Sequence, residues 1–155
     1  MKHQTHLSTE VAYEIFSNRD RRFDGLIFVG ITSSGIYCRP ICPARPAKIE
    51  NCQFYDSAAR AEKDGFRPCL RCKPERAPHA YHSLNLSDLV VRSTQKMEQA
   101  LDRDWNLEYL AKSLQVSSRH LRRCFIQDLG VNPIQFLRSI RLLTAKQLLS
   151  DTSLT

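Results

Sequence analysis

Nowhere in these 155 residues does an apolar run approach the ~18 residues that a membrane span needs. The amino-terminal stretch MKHQTHLSTE also lacks the apolar core of a secretory leader. The expected setting is a reducing cytoplasm, where disulfides are rare, so the six cysteines are expected to be metal ligands or reduced thiols. Acidic residues are in deficit: 16 Asp and Glu face 23 Lys and Arg, a net charge of +7. That excess suits a polyanionic partner, although basic soluble proteins of other kinds share it. The charge is spread, with +4 in residues 1–80 and +3 in residues 81–155.

What the chain does have is a pair of cysteine pairs, Cys38-x3-Cys42 and Cys69-x2-Cys72, separated by 26 residues. Pairs this close are poorly placed to bridge one another as disulfides. Two of them supply four sulfurs that close tetrahedrally around zinc. None of the histidines (His3, His6, His79, His82, His120) lies at ligand spacing from them. Four sulfurs complete the shell without a histidine, leaving no open position for a catalytic water, so a zinc hydrolase is disfavoured. Cys52 falls outside the spacing and alternates with Phe54, as a buried thiol on a strand would; Cys124 is expected to be a packing residue.

The local pattern predicts how the pairs meet. Thr9 is expected to cap a helix over residues 10–17 with Val11, Ile15 and Phe16 inward. Residues 26–31 and 36–38, joined by the polar turn 32–35, predict a hairpin that places Cys38 at a strand end. Three prolines in residues 40–46 demand an irregular knuckle. A strand at 52–55 and a helix capped by Ser57 and ended by Gly65 complete the loop between the pairs. Residues 73–79 carry two prolines and predict a linker.

Beyond it the period becomes helical. Ser87 and Asn106 are expected to cap two helices, the first with Val90, Val91, Met97 and Leu101, the second with Leu107, Leu110, Ala111 and Leu114. A three-residue break at 115–117 leads to a third, on which Leu121, Phe125 and Leu129 face inward and Gly130 ends the run. Pro133 opens a long fourth with Ile134, Leu137, Ile140 and Leu148 inward. Two short helices so tightly joined predict a helix-turn-helix, with Arg119, His120, Arg122 and Arg123 exposed on the recognition helix toward DNA. The bland alternative is a solvated basic face.

The expected fold class is therefore a small α+β zinc-binding domain over residues 1–78, followed by an all-α helix-turn-helix domain over residues 79–155. Residues 30–76, with GIYCRPICPAR and FYDSAARAEKDGFRPCLRCKPE, resemble the amino-terminal domain of the Ada family of bacterial alkylation-damage sensors. Residues 84–155 resemble the first helix-turn-helix and connecting helix of the AraC family, and SDTSLT resembles the approach to a second.

The resemblance implies that Cys38 accepts a methyl group from a DNA methylphosphotriester while Cys42, Cys69 and Cys72 stay zinc ligands; spacing alone does not choose among the four. It implies DNA contacts by Ser34, Arg45 and Arg67, with Arg39 a lesser candidate, and base reading by Arg123, while Arg119 departs from the family's apolar residue. It further implies methylation-dependent transcriptional activation. The expected partners are double-stranded DNA, at lesions and promoters, and RNA polymerase; no membrane partner is expected, and the chain is expected to be a monomer. Relatives continue into a guanine-methyl acceptor or a glycosylase domain. The competing readings are an AraC-type regulator with a purely structural zinc site and the regulatory part of a glycosylase fusion.

Overall fold

The computed structural model describes residues 5–78 and 86–151, in two compact units, Met1–Ala80 and Tyr81–Thr155. His3, His79, His82 and the last four residues of the chain, with most of the SDTSLT stretch, lie outside the described residues.

The first unit is built on a four-stranded sheet: β1 (Phe28–Ile31), β2 (Ile36–Cys38), β3 (Cys52–Tyr55) and β4 (Arg67–Pro68), in the order β3-β1-β2-β4. β1 pairs antiparallel with β2, Val29 facing Cys38 and Ile31 facing Ile36, and antiparallel with β3, Val29 facing Phe54. The turn between β1 and β2 closes on the Ile31 carbonyl, which accepts from the backbone of Ser34 and Gly35, and Gly35 takes a φ of +66° that suits glycine. β4 runs parallel to β2 and eluded the sequence, because it is two residues long and one is proline. Arg67 N donates to the Gly35 carbonyl and Cys69 N to the Tyr37 carbonyl, bracketing Pro68, which has no donor to lose at this sheet edge.

Strand alternation sorts the side chains onto two buried faces. One carries Val29, Cys38, Cys52 and Phe54 against helix α1 (Thr9–Ser17) and the other zinc-spaced cysteines. The opposite face carries Phe28, Tyr37 and Tyr55 beneath helix α2 (Ala58–Lys63), which Ser57 caps by accepting from Arg60 N. Phe66 lies over Gly30, where an added Cβ would stand 2.9 Å from the ring. Ser8, not Thr9, caps α1, and Ala12 rather than Val11 joins Ile15 and Phe16 inward; Val11 is 45% exposed. Ala12, Ile15 and Phe16 hold the i, i+3, i+4 spacing of one helix face, and Val11 lies at the edge of that face, toward solvent. The expected linker is folded too: residues 74–76 form a short 3-10 turn with Pro74 and Glu75 buried. Proline's fixed φ suits that turn as well as it suits a linker.

The described residues of the second unit form four helices: α3 (Asp88–Glu98), α4 (Leu107–Ser113), α5 (Ser118–Leu129) and α6 (Pro133–Asp151). Leu121, Phe125 and Leu129 of α5 are fully buried, and Phe125 packs edge-on to Phe136 of α6 at 6.0 Å. Caps fix each start: Asn106 accepts from Tyr109 N, Ser117 from His120 N, and Asn132 and Gln135 cap each other reciprocally. Ser87 instead gives both its backbone N–H and its hydroxyl to the Asp128 carboxylate of α5, so it ties two helices rather than capping by its side chain. The α6 stripe is shorter than the sequence suggests: Phe136, Leu137 and Ile140 are buried, while Leu148 is 55% exposed. No described helix is long and apolar enough to cross a membrane.

Candidate metal centre and DNA-facing surfaces

The hairpin brings Cys38 to the end of β2, the 39–46 knuckle returns Cys42 beneath it, and the β4 pairing delivers Cys69 and then Cys72. Their four sulfurs all lie within 4.8 Å of one another, and all four residues are buried. A zinc–sulfur bond of ~2.3 Å in a tetrahedron sets sulfur–sulfur separations of ~3.8 Å, so the cluster matches a closed zinc shell with little adjustment. Among themselves four thiols cannot all be charged. Hydrogen bonds from Cys38 and Cys72 hold Cys42 down to about 2. Cys38 is driven far up by its hydrogen bonds to Cys42 and Cys72 and by burial. The hydrogen bond from Cys38 lowers Cys72, but the one to Cys42 and burial outweigh it and push it up to about 12. A divalent cation removes that competition and lets all four bind as thiolates.

The backbone treats the sulfurs unequally. Arg71 N–H donates to Cys69 at 3.3 Å, and Arg39 N–H to Cys72 at 3.3 Å. Beside the cluster lies a groove of about 310 Å³ lined by Cys38, Cys42 and Cys69 but not by Cys72. Ser34, Arg45 and Arg67 all line it, so the structure brings together the three side chains singled out from the sequence. It adds two that sequence reasoning missed, Arg71 and Leu70, the latter 70% exposed. Their only signal is position: they are the two residues between Cys69 and Cys72. Arg39 is not at the groove. Its side chain is 11% exposed and is engaged with Asp24, so the expectation that it touches DNA is withdrawn.

Cys52 is buried, as its alternation with Phe54 suggests, and its thiol points to the Lys48 carbonyl. In the second unit, Arg119, His120, Arg122 and Arg123 are all exposed on α5, opposite the buried Leu121, Phe125 and Leu129. Arg123 Nη2 lies 3.2 Å from His120 Nδ1, which holds two of these side chains together. Cys124 is half-buried, its sulfur 3.8 Å from His120 Nε2.

Comparison with known proteins finds the metal binding domain of Ada over residues 11–75 and a helix-turn-helix domain over residues 110–155. The chain is 35% identical over 150 residues to a Mycobacterium tuberculosis protein described as a probable bifunctional transcriptional activator/DNA repair enzyme AlkA, covering 96% of this chain and 30% of that protein. It is 37% identical over 133 residues to the bifunctional transcriptional activator/DNA repair enzyme Ada of Escherichia coli K12, covering 86% of this chain and 36% of that one. It thus spans about a third of the length of these relatives. A solution structure of E. coli Ada protein in complex with DNA is 34% identical over 92% of this chain and 99% of that one, with a TM-score of 0.45, so the sequence match carries the relationship. A closed four-thiolate set within the metal binding domain of Ada makes the metal zinc. With the zinc-type domain in the first unit and an AraC-type helix-turn-helix in the second, the chain belongs to the Ada family.

Proposed function

We propose that this chain repairs and senses alkylated DNA by moving a methyl group irreversibly from a DNA methylphosphotriester to Cys38. One observation carries the reading. Cys38 stands at the end of β2 in the wall of the arginine-lined groove, whereas Cys69 and Cys72 each accept a backbone N–H and Cys72 does not line the groove; the family resemblance chooses Cys38 over Cys42. A thiolate whose lone pairs are not engaged is the better nucleophile.

Cys38, Cys42, Cys69 and Cys72 would hold the zinc, which when bound would keep their sulfurs deprotonated at neutral pH. Ser34, Arg45, Arg67 and Arg71 then hold phosphates flanking the lesion and present the uncharged triester to the groove. The Cys38 sulfur attacks the methyl carbon in line. The sulfur–carbon bond forms as the oxygen–carbon bond breaks, and the departing electron pair stays on the phosphate oxygen, restoring the diester anion. No proton moves, so no general base is needed. The product S-methylcysteine has no return path, and one turnover consumes one protein.

Residues 1–78 act as the methyl acceptor and residues 79–155 as the DNA reader, with Arg119, His120, Arg122 and Arg123 entering the major groove. The chain acts as a monomer on cytoplasmic, nucleoid-associated DNA, and promoter binding after methylation activates transcription through RNA polymerase.

The test is to incubate the zinc-loaded chain with duplex DNA carrying isotopically labelled methylphosphotriesters and to map the label by peptide mass spectrometry. One label per chain on Cys38 is expected. An unmodified Cys38 in a fully metallated sample leaves an AraC-type regulator with a structural zinc site.

A further inference from the structure

Arg39 follows the acceptor cysteine directly, yet its side chain is spent on the far side of the metal cluster. Its Nε donates to Asp24 Oδ1 at 2.7 Å, Nη2 donates to Asp24 Oδ2, and Nη1 donates to the Cys72 carbonyl at 3.0 Å. Its backbone N–H donates to the Cys72 sulfur at 3.3 Å. One residue thus grips Cys72 at both its sulfur and its carbonyl. Asp24 is itself fixed, because the next residue, Gly25, sits at φ +83° with the Pro78 carbonyl oxygen 2.2 Å from where a Cβ would be. The Arg39 and Asp24 side chains are 11% and 9% exposed. Burying an ion pair seldom adds net stability, so what the pair supplies here is placement.

The four sulfurs differ in how their hydrogen bonds are made. Cys69 accepts from Arg71, two positions along its own knuckle, so local geometry secures that bond. Cys72 accepts from a donor 33 residues away in sequence, and that bond depends on a tertiary tether. Exposure does not separate Cys72 from Cys38, since both are 7% exposed.

We propose that Arg39, locked on Asp24, is a positioning residue that reserves Cys38 for alkylation by tying down Cys72. The inference rests on the reading of Cys38 as the methyl acceptor. Outer-shell partners of metal ligands characteristically shift affinity or reactivity by about ten- to a hundredfold, which sets the scale of the effect.

The experiment uses the full zinc-loaded chain, Arg39→Lys and Asp24→Asn. Lysine keeps the charge but cannot span Asp24 and Cys72 together; asparagine keeps the shape but loses the charged clamp. Each protein is treated with methyl iodide, its cysteine adducts are mapped by mass, its zinc content is measured, and exchange of the backbone amide at position 39 is followed by NMR. In the wild type the methyl is expected on Cys38. In the variants zinc is retained, the backbone amide at position 39 exchanges about tenfold faster, and the Cys38-to-Cys72 adduct ratio falls about tenfold. Variants that keep zinc, amide protection and exclusive Cys38 methylation overturn the proposal. So does loss of zinc and fold in both variants, which makes the pair a strut for the fold alone. Wild-type methylation at Cys72 overturns this proposal and the acceptor reading together. Wild-type methylation at Cys42 or Cys69 likewise overturns both, whereas unchanged variants beside a wild type methylated on Cys38 overturn the tether alone.

Discussion

On the proposed reading, methylating Cys38 turns a thiolate into a neutral thioether and removes one negative charge from the wall of the arginine-lined groove. Arg45, Arg67 and Arg71 line the same groove as Cys38, and a phosphate–sulfur separation of about 5 Å sets the scale of the charge effect. A unit charge at ~5 Å is worth ~0.8 kcal/mol at a dielectric of 80 and ~3 kcal/mol at 20. Since ~1.4 kcal/mol is tenfold in affinity, the methylated chain is expected to bind undamaged duplex DNA between about fourfold and about 140-fold more tightly. Fluorescence anisotropy with the zinc-loaded chain before and after stoichiometric methylation measures this. Repeating the titration at about 50 and about 200 mM salt should narrow the gap, because screening weakens what the lost charge opposed. Equal affinities at low salt would refute the reasoning.

Removing zinc with a chelator should unfold the first unit while α3 to α6 keep their helical circular dichroism, because a structural four-thiolate site contributes on the order of 10 kcal/mol of folding free energy; the near-ultraviolet signal of the buried Tyr37 and Tyr55 is the reporter. Phe125→Ala, at a fully buried position against Phe136, should cost about 3–5 kcal/mol in chemical denaturation of the second unit. Arg123→Ala should lose about 1–3 kcal/mol of discrimination between promoter and mismatched duplex while methyl uptake by Cys38 is unchanged. Burial, then the Glu50 charge, pushes the Cys52 thiol up to about 11. The folded state therefore favours the protonated thiol, whose stabilisation is intact at neutral pH and is lost as pH rises from the ordinary thiol range toward that value. Iodoacetamide near neutral pH should leave Cys52 unlabelled until the chain unfolds, as peptide mapping will show.

The metal cluster was legible because ligand spacing is a covalent constraint, readable without knowing the fold. The hairpin and the α5 stripe of Leu121, Phe125 and Leu129 were legible for a related reason: period and turn chemistry are local. What the sequence hid was set by partners distant in the chain. β4 exists only because the backbones of Arg67 and Cys69 find carbonyls on β2, and nothing in a two-residue segment with proline announces a strand. Arg39 beside Cys38 reads as a surface arginine until Asp24, 15 residues earlier, is seen to hold it. Ser34, Arg45 and Arg67 were named by family resemblance, and only the fold shows that they share one groove with Arg71. The inward positions of α1 and α6 went astray by one residue and by two turns, because an apolar side chain states its preference without saying whether a neighbour is there to meet it.

The two residues of β4 sit on the outer side of β2, and the second cysteine pair follows them at once. Whatever loosens that pair also peels a border strand away and bares the Gly35 and Tyr37 carbonyls to any passing chain. Metal starvation would thus produce more than an idle sensor: the demetallated molecules would tend to cling to one another, and light scattering on adding a chelator would rise with protein concentration.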